Sequence, residues 1–149
     1  MISGISDLKL IEHEPANVRM KKVATIFISI VKKDFDLTLD MTYNSINLLD
    51  EVISNEWGYT TKPIPNEVIL GFGAYLGEII KNQSKGRWVS GFSDENPATI
   101  FYLPKNEQSD SISISPFLII RDKFNNHLKY SITTAFDVVM KILEENKQR

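Results

Sequence analysis

The segment Gly71-Phe72-Gly73-Ala74-Tyr75-Leu76-Gly77-Glu78 places three glycines inside a stretch that otherwise reads as a helix. Each internal glycine costs a helix roughly 0.5–1 kcal/mol relative to alanine, because it frees the unfolded backbone and brings no side chain to pack. Something must compensate, and the compensation available to a glycine is close approach: of another backbone, a ligand or a partner. Proline at 65 fits a first helical turn, so the spacing predicts a helix from about Pro65 to Gln83 that carries all three.

On a wheel advancing about 100° per residue, Val68, Phe72, Leu76, Ile79 and Ile80 share a broad apolar face. Gly73 and Gly77 lie one turn apart along its edge and define a shallow groove. The groove has two readings: access for a ligand or partner, or tight packing against another element of the same domain. Packing is favoured, since conspicuous glycines in helices commonly have packing reasons. The spacing is no phosphate loop, because the glycines do not precede the first helical turn and no Gly-Lys-Ser/Thr follows.

The remaining periodicities predict an α+β fold, with about five helices packed on a small antiparallel sheet of three to five strands. Val23, Phe27, Ile30 and Val31 repeat at helical spacing within Pro15 to Lys33. Phe35 to Met41 alternates apolar and polar residues, the pattern of a half-buried strand. Thr42 or Asn44 is placed to cap a second helix with a stripe of Ile46, Leu49, Val52 and Ile53, ending at Gly58. Strand signals follow at Arg87 to Phe92, Ala98 to Leu103 and Ser111 to Ser115, and a further short strand is expected at Leu8 to Ile11. Ser115-Pro116 is a cap-plus-first-turn signal for a helix reaching Asn125. Ser131 caps the last helix, with Ile132, Phe136, Val139 and Leu143 as its apolar stripe.

With 149 residues, 42% of them hydrophobic and 24% charged, the chain fits one globular domain over residues 1–149. A formal charge of −2 disfavours a general nucleic-acid binder, although Lys21, Lys22, Lys32 and Lys33 cluster locally. The absence of cysteine excludes disulfides, thiolate nucleophiles and cysteine metal sites, and fits a cytoplasmic protein. Met20 to Val31 mimics the basic and apolar parts of a secretory signal, but Lys32-Lys33-Asp34 ends it without a cleavage pattern, and it is too short to span a bilayer.

Chemistry-bearing residues are sparse. Glu78 is the best acid candidate, because a carboxylate beside aromatic surface can serve as a general acid or base. More often such a residue pairs with an arginine, here Arg87 or Arg121, or accepts a hydrogen bond from the backbone or the Trp88 indole. His13 and His127 form no zinc-type pair. Asp34, Asp36 and Asp40 lack the glycine and terminal glutamate of a calcium loop. Trp57, Trp88, Tyr102 and Phe117 have two readings, pocket lining or core, and core is favoured because aromatic residues at this density are usually buried. No catalytic residue, metal or cofactor is assigned. The candidate ligand or contact set is Gly73, Tyr75, Gly77, Glu78, Arg87 and Trp88.

The order Gly73-Ala74-Tyr75-Leu76-Gly77-Glu78, Gly86-Arg87-Trp88 and Ser115-Pro116-Phe117, preceded by Leu39-Asp40, Asn44-Ser45-Ile46 and Leu49-Asp50, resembles a set of uncharacterised bacterial proteins. The resemblance spans about Leu39 to Lys123. It implies a bacterial source and a shared scaffold, and it supplies no catalytic residues. The function expected is that of a non-enzymatic interaction module, in a setting such as toxin neutralisation, phage biology or stress response. Its partner would be another protein or a second copy, with no nucleic acid and no membrane. The alternative is a small-molecule-binding protein or enzyme with a pocket around Tyr75, Glu78 and Trp88.

Overall fold

The computed structural model describes residues 14–58, 62–93, 95–103, 110–126 and 131–147. The strand expected at Leu8 to Ile11 and both histidines, His13 and His127, lie outside them. Within them the fold is α+β, with five helices packed against a three-stranded antiparallel sheet. The helices are α1 (Ala16–Phe35), α2 (Tyr43–Trp57), α3 (Asn66–Asn82), α4 (Pro116–Asn125) and α5 (Ile132–Lys147). The strands β1 (Arg87–Ser93), β2 (Asn96–Tyr102) and β3 (Ile112–Ile114) lie in the sheet in that order.

The apolar stripes behave as their spacing requires. Val23, Phe27, Ile30 and Val31 of α1 are buried, as are Ile46, Leu49, Val52 and Ile53 of α2 and Ile132, Phe136, Val139 and Leu143 of α5. Met20, at the head of the signal-like run, is wholly buried in the same core. The Ser115-Pro116 signal starts α4 as expected: the Ser115 hydroxyl accepts from the Leu118 amide and donates to Asn96 Oδ1 at 2.7 Å, tying the helix start to the head of β2.

The β1–β2 hairpin pairs Trp88 with Ile100 and Ser90 with Ala98, which turns Trp88, Ala98 and Ile100 toward the helices. Its turn end is held from two sides. Arg19 of α1 donates to the Pro97 carbonyl at 3.1 Å, and Arg121 of α4 donates to the Glu95 carbonyl at 3.1 Å and to Asn66 Oδ1 at 2.9 Å. Ile114 closes the core side of β3 opposite Ile100, while Ser111 and Ser113 face outward.

One expected strand is corrected. Phe35 ends α1 instead of opening a strand, and Asp36 takes the left-handed conformation (φ 53°) with its amide bonded to the Lys32 carbonyl. Leu37 to Asp40 then runs without a ladder partner among the described residues. The alternation is still real in burial, since Leu39 is buried between exposed Thr38 and Asp40, but it reports a half-buried connector rather than a sheet strand.

Candidate functional site

The glycine helix α3 is the central helix of the molecule. Every residue from Val68 to Ile80 except Leu70 is buried, and Leu70 is partly so. Burial all round, rather than along one stripe, identifies a helix enclosed by its neighbours. The groove expected along Gly73 and Gly77 is therefore closed. A Cβ built on Gly73 would overlap the Phe117 ring of α4, and one on Gly77 would overlap the six-membered ring of Trp88 from β1. On the opposite side, a Cβ on Gly71 would overlap the Phe27 ring of α1. Each glycine thus receives one aromatic ring from a different element, and the return for its helical cost is dense ring-to-backbone packing.

The candidate site residues divide into two groups. Glu78 and Trp88 come together: the indole Nε1 donates to Glu78 Oε2 at 2.8 Å, and Lys81 Nζ stands 3.3 Å from the same oxygen. Glu78 is 5% exposed, so a carboxylate that would be costly alone is held by a hydrogen bond and an ion pair. Of the partners expected for Glu78, the indole is the one found. Arg87 instead stacks over its cross-strand neighbour Phe101, 5.8 Å from the ring centroid, and Arg121 serves the hairpin turn.

Tyr75 belongs to a different network. Its hydroxyl accepts from the Met41 amide at 2.9 Å and donates to Ser45 Oγ at 2.7 Å, and Ser45 donates to the Thr42 carbonyl at 2.6 Å. The network fixes the connector between α1 and α2 at the point where Met41 takes a positive φ of 64°. The Tyr75 phenol is directed to the head of α2 and the Glu78 carboxylate to β1.

Burial holds the Tyr75 phenol above its ordinary value of 10.0. That effect outweighs the hydrogen bonds with Ser45 and Met41, which lower it, and the charge on Asp40 adds to the rise. The sign for stability follows. The neutral phenol's contribution is fully present below pH 10.0 and is lost as pH rises through the higher folded value. Tyr75→Phe, which deletes two hydrogen bonds while keeping the ring, should cost about 1–3 kcal/mol at neutral pH. It should also flatten the loss of stability above pH 10, read from urea midpoints of both proteins at several pH values; parallel pH profiles would refute this assignment.

Several surface charges are paired locally. Asp36 pairs with Lys32, and Asp40 accepts from the Thr42 amide and hydroxyl; these contacts hold both carboxyls below the usual carboxylate range. Lys22 pairs with Glu14, so two of the four lysines in the basic cluster are engaged with acids. Among the described residues no group of three or more metal-ligating side chains gathers, and no helix is long and apolar enough to cross a membrane. Trp57 packs edge-on against Phe72 and Phe124, and Trp88 lies 6.1 Å from Phe117, in keeping with core roles.

Two features have roles that the sequence did not show. Asp50 of α2 receives the first turn of α5, and its carboxylate lies 3.6 Å from buried Lys123 of α4. Along α5, Ala135, Val138 and Ile142 adjoin the core stripe on the side away from Thr133, whose hydroxyl bonds to Asn47 and Asp50 of α2. Val138 is 53% exposed and Ile142 40% exposed. The i, i+4 spacing of these two was the available signal, and it was overshadowed by the stronger stripe beside it. No family model matches this chain, and no curated protein or solved structure matches it either.

Proposed function

We propose that this chain is a non-enzymatic interaction module of the bacterial cytoplasm, whose contact surface includes the apolar flank of α5. The supporting observation is that Val138 and Ile142, one helical turn apart, stand exposed beside a core stripe that is otherwise complete. Covering what is still exposed of two such side chains contributes about 1 kcal/mol each, a useful share of an association energy. The partner is another protein or a second copy, in a setting such as toxin neutralisation, phage biology or stress response. The resemblance in motif order to uncharacterised bacterial proteins belongs to the same proposal.

The test compares the wild-type chain with a Val138→Lys/Ile142→Lys variant by native mass measurement and by affinity capture. Exposed substitutions of this kind change stability little, so the variant keeps its fold. A self-associated species, or a defined captured protein, should be present for the wild type and lost in the variant. A wild-type monomer that captures nothing, or capture unchanged by the variant, overturns the reading.

A second reading, a small-molecule-binding protein or enzyme, is favoured by a specific pair of atoms: the Glu78 carboxylate against the Trp88 indole. There two of the three expected pocket residues meet. A ligand engaging Glu78 should raise Tm of the wild type and lose most of that effect in Glu78→Gln, because a ligand bound only to the native state stabilises it by mass action. A metabolite screen with no Tm rise, or with equal rises in both proteins, sinks this second reading.

A further inference from the structure

We draw no further inference here: the strongest candidate, the apolar Ala135, Val138 and Ile142 flank of α5, already carries the interaction reading above, and nothing in the structure shows which occupant covers it.

Discussion

Gly73→Ala should lower the stability of this protein by about 1–2 kcal/mol, although the same change at an open helical position would raise it. Alanine gains up to about 1 kcal/mol from helix propensity and from a less flexible unfolded chain. At Gly73 that gain meets the Phe117 ring, whose Cδ1, Cε1 and Cγ atoms all lie within 3.0 Å of the new methyl position. Atoms at the base of a ring cannot move without moving the side chain, and Phe117 is fully buried. Forcing a methyl into a filled core costs typically about 1–3 kcal/mol, so the steric cost exceeds the helical gain.

The sign of the change is therefore diagnostic. It would be measured as a fall in the urea midpoint at constant slope. Trimming the obstructing ring should relieve the clash: in a Phe117→Leu background, Gly73→Ala should be much less harmful. The coupling between the two sites falls in the range of about 0.5–3 kcal/mol found for residues in contact. A midpoint that rises in Gly73→Ala would show that α4 yields easily and that the glycine serves something other than ring packing. Gly77→Ala offers an independent check, since the Trp88 ring it meets is also tethered through Nε1 to Glu78.

The helices were legible because each carries its own evidence. A stripe such as Val23, Phe27, Ile30 and Val31 needs only the 3.6-residue period to declare which side is buried. Ser115-Pro116 likewise holds both the cap and the first-turn residue in two adjacent positions. Phe35 to Met41 misled because alternation records which side chains are buried, whereas a strand also needs a ladder partner that is remote in sequence. The glycine helix was half legible. Its glycines announced close packing, but a wheel drawn for one helix cannot show that α1, α4 and β1 enclose it on several sides. Arg87 could be matched to Phe101 only once the hairpin register was known. The Glu78 to Trp88 bond was within reach because both residues flank one short connection, whereas Tyr75 and Ser45 are 30 residues apart.

Asp50 lies furthest beyond the sequence's reach, and it should be among the most damaging polar positions to change. On its own helix it is an acid following buried Leu49, present in the motif order but with nothing in the sequence to mark its remote partners. In space its carboxylate accepts from the Ile132 amide at 2.8 Å, the Thr133 amide at 3.1 Å, the Thr133 hydroxyl at 3.0 Å and the Ser131 hydroxyl at 3.2 Å. It caps a helix that begins more than 80 residues later, at the end where the helix dipole favours a negative charge. Lys123 Nζ stands 3.6 Å away with its side chain 5% exposed, so the same carboxylate also balances a buried cation.

Asp50→Ala removes the acceptor of the first α5 amides and one partner of Lys123, while the Ser131 hydroxyl still accepts from the Thr134 amide; losing several hydrogen bonds to one charged group together should cost about 3 kcal/mol or more. For a chain of this size Tm should fall by about 10 °C or more. Asp50→Asn keeps an acceptor oxygen for the α5 amides and should lie between Asp50→Ala and the wild type. Lys123→Met should be mildest, at about 1 kcal/mol or less, because Asp50 retains its hydrogen bonds and methionine fills much of the same volume. Adding Lys123→Met to Asp50→Ala should then recover part of the lost stability. Thermal and urea unfolding of the four variants fix the order, and an Asp50→Ala protein as stable as Lys123→Met would discard it. The ranking also bears on the proposed contact surface: Val138 and Ile142 ride on α5, and the first turn of that helix is held to α2 by this carboxylate together with Asn47. Asp50→Ala should therefore weaken association without altering an exposed residue of the flank, while Lys123→Met leaves it intact.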